Sequence, residues 1–215
     1  MKRGRHDLRP WAALILLLAA GASHFSRAYG QASAGAQDGT AVVYQNGEWF
    51  REGAGFVCRV PANERIPREK FKPEEMTRAC LHMGPFRLGN EAQTIKSLLG
   101  EPHRVHPQPN GATSWVYFVD GPGRYPYLVA TVRQSRIAAL QITGPARATS
   151  REYSFNHIDL GASIDTLLKY FGPVTHVQPS TEKDTELWTY GPWPFSFEIK
   201  DGHVTSIRIS DPTLQ

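Results

Sequence analysis

Hydrophobic positions in the last two thirds of the chain follow two periods, and each period occurs twice. Between Gly89 and Gly100, Ala92, Ile95, Leu98 and Leu99 share one face of a short helix. Between Gly161 and Gly172, Ile164, Leu167, Leu168 and Phe171 recur at helical spacing. Asn90, with Gln93 following as its capping-box partner, is placed to cap the first helix, and Ser163 the second. Gly100 and Gly172 suit the left-handed position that ends a helix, with Pro102 and Pro173 close behind. Helices this short do not stand alone in water, so each must dock on another layer.

That layer is strand. Trp115, Tyr117 and Val119 alternate with Val116 and Phe118. Leu128 to Arg133 and Ile137 to Thr143 follow as β-rich runs, joined by a polar turn at Gln134–Arg136. The later copy repeats this with Leu187–Tyr190, Phe195–Ile199 and Val204–Ile209, and Asp201-Gly202 is a hairpin turn that needs positive φ. Leu88-Gly89 aligns with Leu160-Gly161, and Gly100 with Gly172, at a common offset of 72. Trp115-Val-Tyr117 aligns with Trp188-Thr-Tyr190, and Tyr125-Pro-Tyr127 with Trp193-Pro-Phe195. Matched blocks in one order mark an internal repeat. The expected fold is α+β: two tandem repeats, 83–147 and 148–215, each a short helix plus a three-stranded antiparallel meander.

A smaller segment precedes them. Val42-Val-Tyr44, Asn46-Gly47 and Trp49-Phe50 suggest a hairpin, and Gly55 to Val60 a further strand. Pro61 to Lys72 is charged and proline-bearing and is read as a loop. Pro73 to Cys80 reads as a helix with proline in its first turn, where Glu74 and Glu75 suit the helix dipole.

Composition changes the picture once the start of the chain is separated. The 215 residues carry 24 Lys and Arg against 20 Asp and Glu. Residues 1–30 hold five of those basic side chains and one acidic, so the remainder has 19 of each and no net charge. The argument for nucleic acid therefore disappears. Lys2 to Arg9 form a positive n-region and Trp11 to Ala20 an apolar stretch too short to span a bilayer. Ala28-Tyr29-Gly30 fits signal cleavage, and so does Ala20-Gly21-Ala22, with cleavage near Gly30 expected. The mature protein is expected to be periplasmic or secreted. Residues 31–39 read as a small, polar leader, and 31–82 as the leader with its disulfide-pinned segment. Ala22 stands where a lipoprotein would need cysteine, so no lipid anchor is expected.

Export decides how Cys58 and Cys80 are read. A lone pair in an oxidising compartment forms a structural disulfide. A redox pair would want Cys-x-x-Cys, and zinc would want more ligands nearby.

The pattern Leu88-Gly89, Leu99-Gly-Glu-Pro102, Trp115-Val-Tyr117 and Ile137–Ile142 resembles two families, as does its second copy from Leu160-Gly161 to Ile209. One is the SmpA/OmlA (BamE-like) family of outer-membrane-assembly lipoproteins. The other is the β-lactamase-inhibitor-protein family, a secreted tandem of the same unit. The resemblance implies a non-catalytic protein that binds other proteins through sheet faces and hairpin tips, with peripheral contact to the outer-membrane assembly machinery. The lipidated cysteine of the first family and the in-repeat disulfides of the second are absent from the matching positions.

Candidate chemistry is sparse. No serine-nucleophile elbow, phosphate loop or zinc-protease motif occurs. His103 and His106 sit among Pro102, Pro107 and Pro109, which forbid a shared helical face, so they read as a solvated loop rather than a metal site. His157 and Asp159 could share one side of a strand, but no nucleophile accompanies them. No cofactor or metal is expected. The aromatic, proline-rich tips in both copies draw most attention. Arg124, Tyr125 and Tyr127 in one, and Trp193 and Pro194 in the other, are candidate partner-binding residues. Folding back to close the core is the competing reading. The expected function is an exported adaptor, inhibitor or envelope-assembly factor that binds a protein. A small hydrolase and a carrier of an apolar ligand are the alternatives.

Overall fold

The computed structural model describes residues 45–61 and 72–214. All of them fall in one unit, Thr40–Gln215. The expected signal segment 1–30, the leader 31–39, Val42 to Tyr44 and positions 62–71 of the charged loop lie outside the described residues.

Strands β5 (Arg104–Pro107), β6 (Thr113–Phe118), β7 (Tyr127–Arg133) and β8 (Arg136–Thr143) come from the first half of the expected duplication. The second half supplies β9 (His176–Pro179), β10 (Glu186–Thr189), β11 (Phe195–Lys200) and β12 (His203–Ser210). They form one eight-stranded antiparallel sheet in the order β5-β6-β7-β8-β12-β11-β10-β9. This corrects the expectation of two separate three-stranded meanders in two ways. First, β8 pairs with β12, so the halves share one sheet, with Leu140 opposite Ile209 and Ile142 opposite Ile207. Those strands are apolar on the core side in both halves, so continuing the ladder buries them together. Second, each half has a fourth strand at its outer edge. The His103–His106 stretch expected as loop is mostly β5. These edges are four residues long, fully exposed and end in Pro107 and Pro179, which cannot donate to a further ladder.

The same backbone bonds recur in both halves. Gly89 N–H donates to Ile137 O, and Gly161 N–H to Val204 O. Ala92 N–H donates to Ser135 O, and Ile164 N–H to Gly202 O. At the joined centre, Asp211 N–H donates to Ala138 O, and Gly144 N–H to Thr205 O. The hairpin turns Gln134-Ser135 and Asp201-Gly202 all have positive φ, as their tight connection requires.

Side chains alternate across the sheet. One face carries Tyr117, Leu128, Ala130, Leu140, Ile142, Tyr190, Phe195, Phe197, Ile207 and Ile209, all buried under the helices. Helix α2 (Gln93–Leu99) lays Ile95 on this face. Asn90 does not cap it: the helix starts after Ala92 with no side-chain cap. Leu98 is 63% exposed, whereas Leu99 packs against the core, and the Lys96 Nζ lies 4.9 Å from the Trp115 ring centre. Helix α3 (Ile164–Phe171) follows the sequence more closely. Ser163 Oγ accepts from Thr166 N–H at 3.2 Å, and Leu167 and Phe171 are buried, whereas Leu168 faces outward.

The N-terminal hairpin is β1 (Glu48–Glu52) with β2 (Gly55–Arg59), and its turn is Gly53-Ala54, not Asn46-Gly47. Gly47 serves close approach: a Cβ there would lie 2.8 Å from Cys80 Sγ. The hairpin docks on the second half. Asn156, in a left-handed turn, clamps Trp49 through Oδ1 to its N–H (2.7 Å) and Nδ2 to its O (3.0 Å). Arg51 donates to Phe171 O at 2.6 Å, at the end of α3. Helix α1 (Pro73–Ala79) follows, with Glu74 and Glu75 in its first turn as expected. Cys58 and Cys80 are disulfide-bonded, tying β2 to the end of α1. A loop of 22 residues closed in this way gains roughly 3 kcal/mol by the chain-entropy account. The short pair β3 (His82–Met83) and β4 (Phe86–Arg87) leads into the first half.

His82 gives this region a pH dependence. Its Nε2 lies 3.1 Å from Gly47 O, while Nδ1 is buried near the Gly84 backbone with no well-formed hydrogen bond among the described residues. Burial, with Arg87 adding to it, holds its pKa below the ordinary 6.5, against the raising effects of Gly47, Gly84 and Glu48. The folded protein therefore takes up this proton less readily than the unfolded chain. Stability from this group is complete above pH 6.5 and falls as the pH drops below it. Urea unfolding from pH 7.5 to 5.5 should show that decline, and His82→Gln should flatten it. An equal slope in both proteins would remove His82 as its source.

Candidate functional site

The second face of the sheet has no covering layer among the described residues. Its centre is polar: Gln141 Nε2 donates to Ser206 Oγ at 2.9 Å, and Thr143 Oγ1 lies 2.8 Å from the same oxygen. This ladder lets water lie over the central strands at little cost. Toward the first-half edge the surface changes character. Phe118, Tyr125 and Tyr127 form an aromatic group, with Tyr125 and Tyr127 ring centres 5.3 Å apart and Phe118 and Tyr127 6.2 Å apart. The Arg104 guanidinium sits 5.4 Å from the Phe118 ring centre. Tyr125 is 56% exposed, on the loop between β6 and β7. Pro126 beneath it is buried and holds that loop to Val119, whose N–H donates to Pro126 O at 3.1 Å.

These residues border an open depression of about 480 Å³ with Arg104, His106 and Val116. It continues into one of about 510 Å³ that reaches Gln141 and Arg208 at the centre of the sheet. Among the described residues no carboxylate lines either depression. Arg124 stands exposed at the tip beside them. Burial is the main influence raising the Tyr127 pKa, with Tyr125, Glu198 and Glu182 adding to it, so the phenol stays neutral and available as a donor.

The other tip is placed differently. Trp193 is half-buried, its ring centre 5.0 Å from that of Phe56 and its Nε1 donating to Phe56 O at 3.3 Å. The hairpin that covers it lies outside the repeated pattern, so the sequence alignment of the two tips carried no sign of this. Trp193 and Pro194 still border a smaller depression of about 180 Å³ with Ser196 and Arg208. The two tips thus differ: the first is open, and the Trp193 ring of the second is pinned to Phe56, which packs on Phe171 and Phe195 of the buried face.

His157 and Asp159 do come together. His157, in the same left-handed turn as Asn156, pairs through Nε2 with Glu48 Oε1 at 3.0 Å. Both residues line an open cavity of about 430 Å³ beside the start of α3, with Arg147 and Arg151. His103 is spent on structure: its Nδ1 accepts from Phe118 N–H at 3.3 Å. Among the described residues no group of three His, Cys, Asp or Glu is placed to hold a metal.

No known family profile and no curated protein matches the chain. Among solved structures it is similar to a DUF4309 family protein from Bacillus subtilis, with 16% identity and a TM-score of 0.39 over 57% of this chain and 79% of that one. An extracellular protein containing an SCP domain from Bacillus anthracis gives 13% identity and a TM-score of 0.38, over 72% of this chain and half of that one. A candidate beta-lactamase inhibitor protein from Streptococcus mutans gives 14% identity and a TM-score of 0.24, over 61% of this chain and 86% of that one. At these values the likeness assigns neither a family nor a function.

Proposed function

We propose that the chain is an exported, non-catalytic protein-binding module, formed by duplication of a helix-plus-meander unit. It grips its partner through the open face of the sheet, with Arg124, Tyr125 and Tyr127 as the main contact and Trp193 and Pro194 as a secondary one. The observation that carries this reading is the aromatic group around exposed Tyr125, beside Arg104 and Arg124, at two depressions that no carboxylate lines among the described residues. Rigid aromatic side chains with arginine at their edge are the usual anchors of protein interfaces. The paired hydrogen bonds of the two halves support the duplication. The disulfide supports export. The partner surface that fits is apolar with acidic groups around it. The outer-membrane assembly machinery, implied by the resemblance in sequence, is one source of partners to test.

The hydrolase reading has less behind it, since His157 is engaged by Glu48 and no hydroxyl or thiol among the described residues is bonded to it. The carrier reading would need an enclosed apolar chamber, and the depressions described above are open and partly polar.

The test uses the whole chain, immobilised and exposed to the exported proteins of its native host. Tyr125→Ala should weaken the specific partner by about thirtyfold, the loss of about 2 kcal/mol typical of an anchor. Tyr170→Ala, on exposed α3 surface, serves as the control and should leave binding unchanged. Equal binding by both variants would place the interface elsewhere.

A further inference from the structure

The cavity beside α3 has a counterpart in the first half that is already filled. The matched bonds Gly89 to Ile137 and Gly161 to Val204 put these two glycines in corresponding places. Over Gly89 lies an arginine of the chain itself: a Cβ there would be 2.8 Å from Arg78 Cδ. The Arg78 guanidinium then reaches Asp211, Nε to Oδ2 at 2.6 Å, and Thr213 Oγ1 at 2.7 Å. Over Gly161 the described residues place only a methyl group: a Cβ there would lie 2.7 Å from Ala146 Cβ, and the space beyond that methyl is the cavity of about 430 Å³.

The charges around the empty place are rearranged but complete. Gly144 stands where Asp211 stands in the other half, by the bonds to Thr205 and Ala138. The missing carboxylate is supplied from another position, by Asp159 in the cavity wall. Its Oδ1 is buried and has no hydrogen-bond partner among the described residues. Burial raises the Asp159 pKa, and the charges of Arg151 and His157 pull against that without cancelling it. The cavity also presents Arg147 and Arg151, neither in an ion pair among the described residues. A half-buried carboxylate left unpaired beside unpaired arginines is costly to keep for folding alone.

We propose that this cavity binds a basic α-amino acid with a free carboxylate, its cationic side chain beyond Ala146 on Asp159 and its carboxylate on Arg147 and Arg151. The ligand is either the free amino acid or the carboxy-terminal residue of a chain. Its cation would complete a carboxylate, as Arg78 does for Asp211 in the first half. Its carboxylate meets two guanidiniums, which hold carboxylates well. The lining residues are separate from those of the open face, so this site stands or falls independently of the protein-binding reading.

Calorimetric titration of the full chain tests it with three probes: L-arginine, the peptide Gly-Gly-Arg with a free carboxy-terminus, and agmatine, which lacks the carboxylate. At least one of the first two should bind saturably, with a dissociation constant of about 1 mM or tighter. Agmatine should bind at least about tenfold more weakly. Binding of the peptide alone would assign the site to chain termini, and binding of arginine alone to the free amino acid. Asp159→Asn should lose at least about tenfold in affinity while melting no lower than the parent, because it removes an unpaired buried charge. Arg151→Gln should weaken arginine but leave the weaker agmatine binding unchanged. No saturable heat from either carboxylate-bearing probe would overturn the proposal. So would equal affinity for arginine and agmatine, or undiminished binding by Asp159→Asn.

Discussion

Phe56→Ala should cost about 3–5 kcal/mol of stability, although the residue lies outside both halves of the sheet. Phe56 is 8% exposed. Its ring centre is 5.0 Å from Trp193, 5.3 Å from Phe195, 5.7 Å from Phe171 and 5.8 Å from Tyr190. Truncation removes the wedge that these four rings share, and the fixed sheet beneath Phe195 limits how far they can collapse into the gap. Urea unfolding at neutral pH measures the loss. Trp193→Ala should also destabilise, and the double variant should lose less than the sum, because each ring packs on the other. Tyr125→Ala, at the open tip, should stay within about 0.5 kcal/mol of the parent. A loss below about 1 kcal/mol for Phe56→Ala would mean that the hairpin is not docked on the second half.

That contrast shows where sequence reasoning reached and where it stopped. The apolar strands, the glycine helix ends and the Ser163 cap were legible, because each depends on local periodicity or on a residue with a distinct backbone role. The Cys58–Cys80 bridge was legible from export and the lack of any other cysteine. The edge strands β5 and β9 were not. Four exposed residues ending in proline have no buried face to alternate, and only the neighbouring strand makes them β. The joining of β8 to β12 was hidden for a related reason. Both strands read as core strands, and nothing in one strand names its lateral neighbour. At the candidate site, the aromatic tips were visible as a repeat. Their difference was not, because Trp193 is closed over by Phe56, whose contacts span 137 residues of sequence. The carboxylate-free lining of the open face combines Arg104, Tyr125 and Arg208 from separate strands and loops, so no local motif announces it.

Arg78→Ala should cost about 3–5 kcal/mol, although Arg78 is itself partly open to solvent. The asymmetry lies in its partner. The Asp211 side chain is only 2% exposed and receives the Arg78 Nε at 2.6 Å, while its other oxygen accepts from the Thr213 N–H and hydroxyl at 2.9 and 2.7 Å. Removing the guanidinium strands a carboxylate where water cannot replace the lost donor. It also uncovers Gly89 and detaches α1 from the end of β12, where the Asp211 N–H is fixed to Ala138 O. Asp211→Asn should cost less than Arg78→Ala, since the amide can keep an acceptor toward Thr213 and leaves no unpaired buried charge. The double variant Arg78→Met, Asp211→Asn should recover part of the loss, because the methionine stem still covers Gly89 while the buried charge is gone. Chemical denaturation of the three proteins beside the parent decides the matter. If Arg78→Ala costs no more than Asp211→Asn, the pair acts as an ordinary surface contact, and the arginine-filled place in the first half loses its energetic meaning.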